Sequence, residues 1–246
     1  MKILFSPSEA KNSFCDNAPL DENSLIFKEL FSKRLEILNA YNDFIKNSNL
    51  DELKAFFELK NENEVLSFKK DIFLQGSCEA IQRYSGVAYE YLDFPSLDEL
   101  SKKYVRENTV IFSNLLGPIL ASDKIPNYRL KQGSKIGTIS LENFYKIHFK
   151  KALDDFLKDE DVIDLRANFY EKFYKIDKKF YTYKFIKNGK TVSHFAKAYR
   201  GLLLRILAQN KIQDNKDLLK KLPSNLNLVD IKLIKNKEEI SLEILE

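Results

Sequence analysis

The chain has 246 residues, with 40 Lys or Arg against 36 Asp or Glu and a formal net charge of +4. A hydrophobic content of 44% is enough for a sizeable core, and no run approaches the roughly 20 apolar residues of a membrane helix, so a helical membrane protein is excluded. Seven Gly and six Pro leave no room for long flexible linkers, and one domain over residues 1–246 is expected. The opening MKILFSPSEAK is too short for a signal-peptide core and reads as a strand ended by Ser6-Pro7. Residues 22–46 keep the three-four apolar spacing of a helix, through Phe27, Leu30, Phe31, Leu35, Leu38, Tyr41 and Ile45. Shorter helical pieces follow over 50–68. Residues 110–112 read as a strand, and Gly117-Pro118 as a break after it. Ser140 is placed to cap a helix reaching about Leu157. Residues 162–165 form another apolar run, read as a strand.

The strongest local signal is a hairpin. Residues 181–186 alternate, Asn188-Gly189 supplies the residues that accept positive φ, and residues 190–194 return. Helices are expected over 195–209 and 215–222. Two apolar runs, 228–234 and 240–245, predict a terminal pair of strands, which would pair within or between chains. The pattern is a single α+β domain with a helical region near its N-terminus. Cys15 and Cys78 are widely spaced with no second pair or flanking His, which predicts reduced thiols and a cytoplasmic protein.

Charge is concentrated in one place. Residues 172–205 hold ten Lys or Arg, one acid (Asp177) and eight Phe or Tyr, so this segment carries +9 and the remainder −5. Such a local field draws phosphate-bearing partners whatever the net charge. Within it, Lys197 and Arg200 are three residues apart and share a helix face. Phe195, Ala198, Leu202 and Ile206 make the opposing stripe apolar, so the two cations must reach water, an acid or an anion. Gly201, in mid-helix at a cost of about 1 kcal/mol relative to Ala, marks close approach of a backbone or a ligand. No nucleotide-binding glycine loop and no G-x-S-x-G elbow occurs, and no cofactor is indicated. His148 and His194 lie far apart, and the residues three before them, Tyr145 and Thr191, are not Glu, so no di-iron ligand pair is present and no metal site is expected.

The run His194-Phe195-Ala196-Lys197-Ala198-Tyr199-Arg200-Gly201 resembles the signature of the bacterial YaaA family of peroxide stress resistance proteins. Ser6-Pro7 followed by Ala10-Lys11, Tyr84-Ser85-Gly86 through Tyr89, and Ser113 through Gly117 resemble further family stretches. So do Pro126 through Lys131 and Val162 through Leu165 with Tyr170, and together these cover nearly the whole chain. The chain departs from the family pattern at Ala167, Phe169 and Tyr145, where Ser, an acid and Trp are usual.

The resemblance implies a cytoplasmic protein of the hydrogen peroxide response that limits peroxide- and iron-dependent damage. It implies a fold peculiar to the family, a positively charged DNA-binding cleft, and a helix-hairpin-helix-like element formed by residues 195–209 and 215–222. On this reading Lys11, Arg129, Lys131, Arg166, Lys197 and Arg200 contact the phosphates of duplex or distorted DNA. Tyr84, Tyr128 and Tyr170 are the candidates for stacking on bases. Ser6, Pro7, Gly86, Gly117 and Gly201 are motif positions that shape the backbone. The alternative is an enzyme acting on a nucleobase, nucleotide or damaged nucleic acid, with His194, Lys197, Asn168 and Tyr170 as catalytic candidates. Convergence of these groups on one enclosed pocket, as opposed to an open groove, favours the alternative. No membrane or protein partner is predicted.

Overall fold

The opening apolar run becomes the centre of a sheet. β1 (Lys2–Phe5) pairs in parallel on both edges, with β3 (Thr109–Ser113) through Leu4↔Val110 and with β8 (Val162–Asp164) through Ile3↔Ile163. A strand covered on both faces needs apolar residues at every position, and Ile3, Leu4 and Phe5 are all buried. Each such side chain contributes about 1.5–3 kcal/mol by leaving water. The structure, a computed structural model, describes residues 1–13 and 18–245, without the side chains of residues 193 and 194.

In chain order β1 is followed by α1 (Phe31–Asn47), α2 (Leu50–Phe57), α3 (Glu62–Phe68), β2 (Cys78–Glu79), α4 (Ala80–Arg83), α5 (Val87–Leu92) and α6 (Glu99–Asn108). After β3 come β4 (Gly117–Leu120), β5 (Lys124–Ile125), β6 (Lys135–Ile136), β7 (Ile139–Ser140) and α7 (Leu141–Leu157). β8 then leads to β9 (Phe180–Lys187), β10 (Lys190–Thr191), α8 (Ser193–Asn210), α9 (Asn215–Lys220), β11 (Leu226–Ile234) and β12 (Lys237–Ile244). The main sheet has eight strands in the order β11-β12-β9-β8-β1-β3-β4, with β10 folded back on β9. The run β12-β9-β8-β1-β3 is parallel, and β11 and β4 are antiparallel at the two edges.

The mixed α and β architecture is as expected, and so are the hairpin at Asn188-Gly189, with φ of 52° and 72°, and the terminal pair of strands. Three expectations change. The first long helix begins only at Phe31, because Phe27 takes a left-handed conformation (φ 57°) that divides the preceding residues into two 3-10 turns. Gly117-Pro118 does not end the strand region: it opens β4, an edge strand, where a proline without an N–H is tolerated. Cys78 is disulfide-bonded where a reduced thiol was expected, and Cys15 lies outside the described residues.

Both helices of the expected helix-hairpin-helix-like element exist, and the turn between them is largely exposed, with Ile212 alone tucked into the core. The N–H groups of Lys211 and Ile212 donate to the carbonyls of Ala208 and Leu207, and the Ile212 carbonyl accepts from the Tyr104 hydroxyl. Ile212 is itself buried. These two N–H groups, already bonded within the chain, cannot serve a phosphate.

Candidate functional site

From β1 the chain moves to β3 on one side, and from β8 it moves to β9 on the other. The connections leaving the carboxyl ends of β1 and β8 therefore diverge, which opens a crevice of the kind that holds ligands in parallel sheets. The two loops are fastened together at this point. The Ser6 Oγ accepts from the Ala167 N–H at 2.8 Å, and the Ser6 carbonyl accepts from the Tyr89 hydroxyl at 2.9 Å. Ser6 thus ties the loop after β1 to the loop after β8 and shapes the floor between them. Beside it lies a cavity of about 470 Å³ lined by Ser6, Pro7, Tyr170, Lys131, Lys197 and Arg200, among others.

Helix α8 delivers two of these cations because it can lie unusually close to α5. A Cβ built on Gly201 would stand 1.9 Å from the Ala88 carbonyl oxygen, well inside any real contact. The glycine thus serves a backbone, which is the first of the two readings its sequence position allowed. With α8 fixed there, Lys197 is exposed at the mouth and Arg200 is half-buried deeper in. The Arg200 guanidinium makes no hydrogen bond or ion pair among the described residues. Burial pulls its pKa down, and the Asp164 carboxylate acts in the opposite direction. A half-buried guanidinium whose donors are not taken up by other side chains or carbonyls among the described residues is open to an anion.

The six cations expected at phosphates divide evenly. Lys131, Lys197 and Arg200 meet at the cavity, with Lys131 paired to Glu58 at 2.7 Å in an exposed bridge of little strength. Arg166 is corrected from a phosphate contact to a structural group. It is buried, forms two bonds with the Asp164 carboxylate and donates to the carbonyls of Tyr170 and Tyr174. Arg129 donates its Nε–H to the Phe57 carbonyl at 2.8 Å and stands outside the cavity. Lys11 also turns inward. Its ammonium donates to the carbonyls of Ser8 and Glu9, 3.2 Å from each, and lies 4.1 Å from the centre of the Tyr128 ring. Burial, helped by Arg129 and Arg83 and opposed by Glu9, lowers its pKa to about 7.

The stacking tyrosines are corrected for the same reason. Tyr84 and Tyr128 are buried, and their hydroxyls form a chain with Ser113, 2.8 Å at each link. Removal from water raises the pKa of both phenols. Tyr170 is buried as well but borders the cavity. Asn168 is exposed and lines a second hollow of about 300 Å³, which meets the first at Arg200. The His194 side chain lies outside the described residues. Of the motif glycines, Gly86 precedes α5 with φ 98°, and Gly117 (φ 71°) leaves space filled by the Tyr145 ring, 2.3 Å from where a Cβ would stand. Glu9 and Gln132 also line the cavity. Only their place in loops at the sheet end signals this, and that is invisible before the strand order is known.

Among the described residues, no helix is long and apolar enough to cross a membrane. The chain is 57% identical over 246 residues to an uncharacterized protein of Campylobacter jejuni, with 100% of both chains covered. It is 34% identical over 216 residues to a UPF0246 protein of Corynebacterium glutamicum, covering 85% of each. It is 26% identical over 234 residues to a UPF0246 protein of Fusobacterium nucleatum, covering 89% of this chain and 90% of the relative. A family model described as Peroxide stress protein YaaA matches residues 1–228. With that match extending over most of its length, the chain belongs to the YaaA family of peroxide stress proteins.

Proposed function

We propose that this protein serves the cytoplasmic response to hydrogen peroxide by binding DNA through its phosphate backbone at the crevice lined by Lys131, Lys197 and Arg200. The observation that carries this reading is Arg200, whose half-buried guanidinium has no acceptor among the described residues. The wider surface supports a polyanion. Around the hairpin and α8, Lys184, Lys187 and Lys190 form no ion pair among the described residues, whereas Lys179 is held by Glu238 and Arg205 by Asp93. Cations spread beyond one cavity suit a partner with repeated charges, and such binding is steep in salt and nearly independent of sequence.

A second reading rests on the cavity itself. About 470 Å³ is the size of a small-molecule site, and Lys131, Lys197 and Arg200 converge on it. In this reading the ligand is a nucleotide or an extruded base bearing a phosphate, with chemistry to follow. One experiment separates the two. Binding of labelled duplex, bulged and single-stranded DNA is measured beside a folded Lys197→Glu/Arg200→Glu double variant, with mononucleotides as competitors. Binding that the variant loses and mononucleotides do not displace supports the DNA reading. Displacement by a mononucleotide supports the second. Binding by the variant equal to that of the unmodified protein removes this crevice from both.

A further inference from the structure

One edge of the main sheet is left open by a strand that is unusually apolar. β11 pairs with β12 alone, and no strand is hydrogen-bonded to its outer edge among the described residues. Leu228, Val229, Ile231, Leu233 and Ile234 are 40% to 69% exposed. They are five of the thirteen large apolar side chains exposed among the described residues, gathered in nine residues of sequence, so they make a patch and not a scatter. Ile231 lies opposite the buried Ile240 and so continues the apolar interior to the sheet edge.

Within this patch sit two opposite charges, Asp230 and Lys232, 3.0 Å apart along the strand. Charges on an edge strand ordinarily discourage pairing. Their placement about Ile231 reverses that effect for one arrangement. If a second copy of β11 runs antiparallel with Ile231 opposite its own equivalent, Asp230 falls opposite Lys232 of the second copy, twice by symmetry. A shift of the axis by one residue toward the N-terminus sets Asp230 against Asp230, and by one toward the C-terminus sets Lys232 against Lys232. Opposite charges directly across a ladder are favourable and like charges unfavourable, so one register is selected against its neighbours. The irregularity between Leu228 and Asp230 confines the regular ladder to the stretch that follows it.

We propose that two copies of this chain join through β11, antiparallel about an axis at Ile231, so that the main sheet continues from one copy into the other. The crevice between β1 and β8 is formed within each copy, and the dimer places two of them on one body.

The test is a charge exchange read by sedimentation velocity over a dilution series. Asp230→Lys and Lys232→Asp each set like charges across the axis and should weaken dimerisation about tenfold or more. The double variant Asp230→Lys/Lys232→Asp restores opposite charges and should restore the dimer. Lys232 is exposed and Asp230 half-buried at the sheet edge, and circular dichroism confirms that each variant is folded. As a second readout, Ile231→Cys should link two copies covalently under mild oxidation, since equivalent residues meet at the axis. A protein that is monomeric throughout the series overturns the proposal. So does a dimer indifferent to the single exchanges, or a double variant no better than either single one.

Discussion

Replacing Gly201 by Ala tests the packing that presents the cations. In an isolated helix this change stabilises, by about 1 kcal/mol, because alanine is the better helix former. Here the added Cβ would begin 1.9 Å from the Ala88 carbonyl oxygen, and ordinary contact starts near 3.4 Å, so α5 and α8 must part by 3.4 − 1.9 = 1.5 Å. The obstacle is backbone, which cannot rotate aside as a side chain does. Overpacking of a close-fitted interface costs about 1–3 kcal/mol, and occasionally more. A rigid obstacle places this case at or above the upper end, so the expected net loss is about 2 kcal/mol or more after the propensity gain. For a chain of this length each kcal/mol lowers Tm by about 2–4 °C. Urea unfolding followed by circular dichroism measures the effect directly. A Gly201→Ala variant as stable as the original protein, or more stable, refutes the close approach of α5 and α8.

Further outcomes follow from the same geometry. Ser6→Ala removes the acceptor of the Ala167 N–H and should cost about 1–3 kcal/mol, seen as a lower urea midpoint, whereas an unchanged midpoint would mean the two loops are not fastened there. Asp164→Asn breaks a buried pair and should cost about 3–5 kcal/mol, while the folded fraction retains its affinity for DNA if Arg166 is structural. Lys11 gives a pH signature. Its folded pKa of about 7 lies below the ordinary lysine value, so the unfolded chain holds the proton more tightly between those limits. Stability should rise with pH through that window and lose this contribution below it, and Lys11→Met should flatten the rise, as paired urea titrations at about pH 7 and about pH 9 would show.

Local chemistry was the legible part of this chain. The Asn188-Gly189 turn, the face shared by Lys197 and Arg200, and the two terminal strands each depend on neighbours a few residues away, and each was read correctly from the sequence. What stayed hidden depends on distant pairing. β1 lies between strands that begin 107 and 160 residues after it (109 − 2 and 162 − 2), and only that order makes the loops after β1 and β8 meet. The side-chain directions of Lys11, Arg166, Tyr84 and Tyr128 follow from the same long-range assembly. Residue type suggested phosphates and bases for these four, whereas three of them are buried and Lys11 is held against its own loop. Gly201 shows the middle case. Its position announced a close approach, and the structure supplied what approaches.

The salt dependence of DNA binding tests the central claim most directly. Each phosphate contact with duplex DNA contributes about 0.9 to the slope of log affinity against log salt. If Lys197 and Arg200 each neutralise one phosphate, a folded Lys197→Gln/Arg200→Gln variant should bind more weakly and with a slope shallower by about 1.8 than that of the original protein. An unchanged slope would mean that neither cation touches phosphate, and the account of the crevice would be wrong.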